Sequence, residues 1–104
     1  SLSLKSVNSN VTKIEPHFLQ RSRNLTTLDL SGLTSIRYID SYFLCLCLNL
    51  TSLTLPNISP RLITVKYNFF LADVPSSTVF HCGQYLEEYK NTFPWSLRAD
   101  QMVE

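Results

Sequence analysis

One pattern of apolar and polar positions occurs twice along the chain. Residues 24–30, with the sequence Asn-Leu-Thr-Thr-Leu-Asp-Leu, return 25 positions later as residues 49–55, Asn-Leu-Thr-Ser-Leu-Thr-Leu. Ile14 returns as Ile39 at the same step. An internal period of roughly 20–50 residues is typical of proteins built from stacked structural repeats. The pattern therefore predicts a repeat architecture.

The Leu-x-x-Leu-x-Leu part of the pattern predicts short parallel β-strands. Alternation places Leu28 and Leu30 on one face of an extended strand and the polar residues around them on the other. One unit cannot cover its own apolar face, so neighbouring units have to stack to form the core. We therefore expect Leu53→Asp to unfold the protein.

The segments between these strands predict short helical turns, at residues 15–19 and 40–44. Each carries a phenylalanine at the same place, Phe18 and Phe43. We expect the two rings to stack in the core on the side opposite the strands.

A third unit begins at Leu62, with residues 69–70 in the places of residues 43–44. It then degenerates, and its last strand is expected at residues 77–81. The predicted boundaries are a partial repeat at 1–10, repeats at about 11–35 and 36–60, and a degenerate repeat at 61–82.

The last part of the chain predicts helices. Residues 84–93 have apolar positions at helical spacing, and Pro94 ends that helix. Ser96 is placed to cap a second short helix that continues through residues 102–103. We expect residues 83–104 to form a C-terminal helical cap over the last edge strand. The predicted fold class is α/β: a right-handed solenoid with short parallel strands, convex-side helical turns and this cap.

Composition and charge remove several classes of function. With 44% hydrophobic residues among 104, the chain can form one packed core, but no run approaches the about 18 apolar residues of a transmembrane helix. We expect no membrane insertion in this segment. The net charge of +1 is dispersed, unlike that of a nucleic-acid binder, and two glycines leave no Gly-rich loop for a phosphate cofactor. Because the chain begins inside a leucine-alternating segment, we expect it to be a piece of a longer protein.

These residues resemble a leucine-rich repeat, and more narrowly the treponemal, or BspA-like, class. Residues 50–56, Leu-Thr-Ser-Leu-Thr-Leu-Pro, match the Leu-x-x-Leu-x-Leu-Pro strand of that class. Its Val-x-x-Ile-x-x-x-x-Phe-x-x-x-Cys turn is matched by Ile36, Ile39, Phe43 and Cys47. The sequence Leu-Asp-Leu-Ser-Gly-Leu at 28–33 is more similar to protozoan versions. The Tyr-Lys and Trp-Ser pairs at 89–90 and 95–96 resemble the family's terminal unit.

The resemblance implies the C-terminal portion of a non-catalytic leucine-rich repeat array, at the cell surface or outside the cell, that acts in protein interaction or adhesion. Its partners would be a protein ligand and the neighbouring repeats of the same chain. Two alternatives stay open: a purely structural cap of a longer array, and an intracellular, cytoplasmic leucine-rich adaptor. Three cysteines suit a reducing compartment, whereas four Asn-x-Ser/Thr sequons suit a secreted protein.

A protein ligand would bind the outward-facing row of the concave strand face. The candidate residues are Ser3, Lys5, Thr27, Asp29, Ser31, Ser52, Thr54, Thr78 and Phe80. Most carry small hydroxyl groups, and none is the Trp, Tyr or Arg that dominates protein interfaces. A solvated sheet face, with the binding repeats elsewhere, is the simpler interpretation.

Two of the four sequons are candidate glycosylation sites. Asn10 and Asn57 stand in expected connecting loops and would accept glycans if the protein is secreted. Asn24 and Asn49 recur at the corner before each strand, where a side-chain amide can bond to backbone groups instead.

No catalytic, cofactor or metal site is expected. Cys82 and His81 form the one nucleophile and base pair worth considering, but adjacent residues on a strand point to opposite faces. Cys47 suits a small core residue better than a reactive thiol. A metal site would need three ligands from two units to converge: Glu15, His17 and Asp40.

Overall fold

The computed structural model describes residues 2–3 and 10–104. The candidate Lys5 and most of the partial repeat at 1–10 lie outside the described residues. Of Ser3, only the backbone is described.

The described chain forms an α/β domain of short strands and few helices. Its strands are β1 (Leu2–Ser3), β2 (Lys13–Ile14), β3 (Thr27–Asp29), β4 (Tyr38–Ile39), β5 (Ser52–Thr54), β6 (Thr64–Val65), β7 (Val79–His81) and β8 (Met102–Val103). The one α-helix, α1, spans Leu86–Asn91, and 3-10 helices span Pro60–Leu62, Gly83–Tyr85 and Trp95–Gln101.

Two parallel sheets organise the domain. One has five strands in the order β1-β3-β5-β7-β8, and the other has three in the order β2-β4-β6. Strand pairing follows the period of the sequence: Leu28 lies opposite Leu53, 25 positions later, and Ile14 lies opposite Ile39. The prediction of short parallel strands is confirmed. The three-stranded sheet was not predicted, because strands of two residues show no alternation of apolar and polar positions.

The core includes the apolar positions that recur in the sequence. Leu28, Leu30, Leu53 and Leu55 are all buried, and the same cluster includes Cys47. Burial of each of these leucines stabilises the fold by roughly 1.5–3 kcal/mol relative to an exposed side chain. The prediction that Cys47 is a core residue is confirmed.

The predicted helical turns are wrong. In three segments, alternate residues adopt left-handed backbone conformations, with φ between 53° and 66°. These residues are His17, Leu19, Arg21, Tyr42, Leu44, Leu46, Phe69, Leu71 and Asp73. No helix forms because backbone N–H groups of these residues bond to a neighbouring segment rather than along their own. His17 N donates to Ser41 O and Tyr42 N to Asn68 O, each at 2.9 Å, whereas Leu44 N donates back to Phe18 O.

The three turn segments therefore form a third column of hydrogen bonds beside the two sheets. A ladder of phenyl rings runs along the inside of this column. Phe18 stacks on Phe43 at 6.0 Å between ring centroids, and Phe43 on Phe70 at 5.6 Å. Trp95 ends the ladder, with its ring edge-on to Phe70 at 5.0 Å. The predicted stacking of Phe18 and Phe43 is confirmed.

The C-terminal residues are only partly helical. Helix α1 lies within the predicted span and buries Tyr89, whose hydroxyl donates to Pro56 O at 2.8 Å. The second predicted helix is wrong at its end, since residues 102–103 form β8, which pairs with β7. The 3-10 helix before them lacks a side-chain cap from Ser96, and Met102 enters the core opposite Phe80.

Candidate functional site

The outward face of the five-stranded sheet differs from the prediction at strand β7. Phe80, a candidate surface residue, lies opposite Leu53 and is completely buried. Thr78 is buried as well, and its hydroxyl donates to Leu50 O. Both predictions were wrong because the pairing step here is 27 residues, so the whole strand is shifted relative to the earlier ones.

The corrected register places Val79 and His81 on the outward face. Val79 lies in line with Ser52, and His81 lies in line with Thr54. We call this surface the outer sheet face; its residues are Thr27, Asp29, Ser31, Ser52, Thr54, Val79 and His81. Ser3 lies beside it in β1, opposite Asp29.

The outer sheet face offers little to bind. Thr27 is exposed, but Ser52 and Thr54 are only half-exposed. The carboxylate of Asp29 already accepts the backbone N–H of Ser31 at 2.9 Å. Apart from Val79 and His81, the face is therefore a strip of short, partly engaged polar side chains.

A second surface, not predicted from the sequence, lies where the last turn segment meets the C-terminal 3-10 helix. We call it the C-terminal groove, and its volume is about 430 Å³. It is lined by Tyr67, Asn68, Phe69, Phe70, Leu71, Ala72, Pro94, Leu97 and Arg98. The two walls come from chain segments far apart in sequence, so no local motif indicates the groove.

Large apolar side chains are exposed at this groove. Tyr67 is 54% exposed, and both Phe69 and Leu97 are 57% exposed. Phe93 is 61% exposed and packs edge-on against Tyr67, with ring centroids 5.1 Å apart. Exposed aromatic residues gathered in one place are typical of binding surfaces, because they offer large apolar area at low entropic cost.

Phe69 also ends an outer row of rings. His17 stacks on Tyr42 at 4.6 Å, and Tyr42 stacks on Phe69 at 5.1 Å. The internal period of the sequence predicts that Phe69 occupies the place of Phe43, inside the core. The observed partner of Phe43 is Phe70, so that prediction was wrong by one residue and hid the exposed position of Phe69.

Of the described residues that line the groove, Arg98 is the only charged one. Its guanidinium donates to Leu71 O at 2.7 Å, and to Val74 O and Gln101 Oε1 at 3.1 Å each. All three acceptors are neutral, and the described residues provide no ion pair for it. Burial lowers the pKa of Arg98 because desolvation disfavours the charged form.

The three cysteines are buried and free. Desolvation raises the pKa of the Cys82 thiol to about 11 and also raises the pKa values of Cys45 and Cys47. Thiols in such surroundings hold their protons at neutral pH and are poor nucleophiles. The Cys82 thiol is directed to the carbonyl of Phe80, at 3.7 Å.

The residues once considered for a metal site are engaged otherwise. Glu15 and Asp40 share one cation, with Lys13 Nζ at 3.7 Å and 3.9 Å respectively. His17 Nδ1 is hydrogen-bonded to Gln20 Oε1. Within residues 2–3 and 10–104, no group of three or more His, Cys, Asp or Glu side chains is arranged to hold a metal ion.

The candidate glycosylation sites are at the surface. Asn10 and Asn57 are both exposed, and Asn57 Oδ1 accepts a bond of 3.4 Å from Gln84. Asn49 has the predicted alternative role, since its side-chain amide donates to Arg23 O at 2.7 Å. Asn24 is exposed.

In the described part of the chain, no helix has the length and apolar character needed to cross a membrane.

Comparisons of the chain with known protein families, with curated proteins and with solved structures found no match.

Proposed function

We propose that this chain is the C-terminal portion of a leucine-rich repeat array of BspA-like class, and that it binds a partner protein, without catalysis, through the C-terminal groove. The repeat assignment is supported by strand pairing at steps of 25 to 27 residues. It is also supported by the burial of Leu28, Leu30, Leu53 and Leu55, the leucines of the two Leu-x-Leu segments whose side chains are described.

The observation that carries the binding proposal is the exposure of Tyr67, Phe69, Phe93 and Leu97 around one groove. Each exposes more than half of its surface to water, and a partner that covered them would gain about 25 cal/mol for each Å² of apolar area removed from water. The outer sheet face is the weaker candidate because its side chains are short and partly engaged.

The test is a selection of short random peptides, displayed on phage, against the immobilised domain. We expect enriched peptides whose binding is lost in Phe69→Ser and Leu97→Ser. The matched control is Leu62→Ser, since Leu62 is 53% exposed but lies outside the groove. A double variant of the outer sheet face, Asp29→Lys with Thr54→Lys, should keep the binding.

Each outcome of the selection decides between functions. Peptides that survive both groove variants but are lost in the sheet-face variant would move the proposal to the outer sheet face. Failure to enrich any peptide would favour a purely structural end of the array. Trp95 supports this structural role as the second candidate function, because its ring lies edge-on to Phe70 and ends the stacked ladder of phenyl rings.

The location that goes with this proposal is the cell surface or the extracellular space. The exposed sequons at Asn10 and Asn57 support it. An antibody raised against the domain should stain unpermeabilised cells of the source organism. Staining only after permeabilisation would favour the cytoplasmic adaptor instead.

A further inference from the structure

The C-terminal groove combines apolar walls with one cation that has no counter-ion. We infer that the groove accepts a segment of a partner protein in which an Asp or Glu side chain lies between apolar side chains, with the carboxylate bound by Arg98. This inference rests on the proposed protein-binding function and specifies the chemistry of the partner.

The first argument is the unused donor capacity of Arg98. A guanidinium has five N–H donors, and three are bonded to Leu71 O, Val74 O and Gln101 Oε1. The remaining two, including Nε–H, have no acceptor in the described chain. Carboxylates are the protein groups that best satisfy paired guanidinium donors.

The second argument is charge complementarity. None of the described residues that line the groove is acidic, and the described ion pairs involve Lys13 and Arg61 rather than Arg98. Lys66 precedes Tyr67 in the sequence but does not line the groove, so the positive charge that a ligand would meet there is that of Arg98. An acidic side chain would therefore enter a region of uncompensated positive potential, whereas a basic one would be repelled.

The third argument is that Arg98 is held in place before any ligand arrives. Two backbone carbonyls fix the guanidinium, and its Cζ lies 5.9 Å from the centroid of the buried Phe80 ring. A preorganised cation loses little conformational entropy on binding. Its partial burial also strengthens the attraction to a carboxylate, because the local dielectric constant is lower than in water.

Two pools of blocked tripeptides provide the test. In one pool a central Glu is flanked by Leu, Ile, Phe or Tyr, and in the other pool Gln replaces Glu. N-terminal acetyl and C-terminal amide groups leave the Glu side chain as the only added charge. Binding is followed by NMR titration of the isotope-labelled domain, with the Arg98 Nε–H and the groove amides as probes.

We expect the Glu pool to bind about three- to tenfold more tightly than the Gln pool at low salt. The difference should shrink as salt is added. In Arg98→Gln both pools should bind alike, and Arg98→Lys should retain part of the preference because it keeps the charge without the planar fork. Lys66→Gln is the matched control and should keep most of the preference.

Equal binding of both pools to the unaltered domain would overturn the inference while leaving the groove as an apolar binding site. Absence of any shift at the groove amides would also overturn it. In both cases the phage selection still tests the proposed function independently, since enriched peptides without Asp or Glu would support binding by the groove alone.

Discussion

Leu53 lies at the centre of the five-stranded sheet, between Leu28 and Phe80, and is completely buried. Leu53→Ala should lower the free energy of unfolding by about 2–5 kcal/mol, because it removes apolar contacts and leaves a cavity. Leu62→Ala, at a residue 53% exposed, should change it by less than about 0.5 kcal/mol. Urea unfolding of both variants checks the prediction, and equal effects would contradict the assigned core.

Substitution of a left-handed turn residue by glycine should not lower the free energy of unfolding, in contrast to Leu53→Ala. Arg21 is exposed and has φ 62°, a conformation that costs a non-glycine residue about 1–2 kcal/mol. Arg21→Gly should leave the free energy of unfolding unchanged or raise it by up to about 1 kcal/mol. Arg23→Gly, two residues later and also exposed, should lower it by about 0.5–1 kcal/mol, since the unfolded chain gains entropy with no strain relieved. Thermal melts compare the two, and a larger loss at Arg21 would contradict the prediction.

Burial of Cys82 should make the domain less stable at alkaline pH. Burial raises its pKa to about 11 in the folded state, against about 8.5 in an unfolded chain. Between these values the unfolded state binds fewer protons than the folded state, so stability is fully present below about pH 8.5 and falls as pH rises toward 11.

Cys82→Ala should therefore lose less stability than the unaltered domain between pH 7.5 and pH 10.5, by about 1–3 kcal/mol. Urea unfolding at the two pH values measures the difference, and effects of other groups cancel in the comparison. Parallel losses in the two proteins would show that Cys82 does not contribute.

At the scale of elements, Trp95 joins the 3-10 helix to the phenyl ladder and to α1. Its ring lies edge-on to Phe70 and to Tyr89, each at 5.0 Å, but its buried indole N–H has no partner in the described chain. Trp95→Ala should cost about 3–5 kcal/mol of stability. Trp95→Phe should cost much less, because it keeps a ring and removes an unpaired donor.

Chemical denaturation of the two Trp95 variants tests this prediction, with Phe93→Ala as the exposed control. If Trp95→Phe proved as unstable as Trp95→Ala, the shape of the indole ring would matter more than its burial.

The sequence predicted the elements whose residues recur strictly. Leu28 and Leu53 each alternate with polar residues, which predicted the strands. The distance of 25 residues between them predicted the register in which the strands pair. The step then grows to 26 at Val65 and to 27 at Phe80, which means that two single residues are added in the third unit. Loops absorb such additions without disturbing the strands. A fixed period therefore misplaced Phe69 and Phe80.

The turn segments and the C-terminal groove could not be predicted for a different reason. Left-handed residues are usually glycine or asparagine, yet here His17, Leu44 and Asp73 adopt this conformation. Hydrogen bonds between neighbouring turn segments stabilise the left-handed conformation. A short stretch of sequence cannot predict these bonds, because their partners lie in another segment. Likewise Phe69 and Leu97 meet only after the chain has folded.

At the scale of the whole molecule, the strands of the five-stranded sheet differ in whether they lie inside the sheet or at its edge. The backbone amide of Leu55 bonds to His81 O inside the five-stranded sheet, whereas that of Cys82 bonds to Val103 O at its edge. Native-state hydrogen exchange should be slower at Leu55 than at Cys82, because hydrogen bonds to an edge strand open more readily than those between inner strands. Equal protection at the two amides would indicate one cooperative unit.

The third column of hydrogen bonds, between the turn segments, adds a property that neither sheet has alone. Residues 11–35, 36–60 and 61–82 are bonded in succession at three separate places: in the five-stranded sheet, in the three-stranded sheet and between turn segments such as those of Arg21 and Cys45. Tilting one of these three segments against the next would stretch at least one of the three columns, so this arrangement should resist bending. A tensile load applied across these three segments would be shared by all three columns.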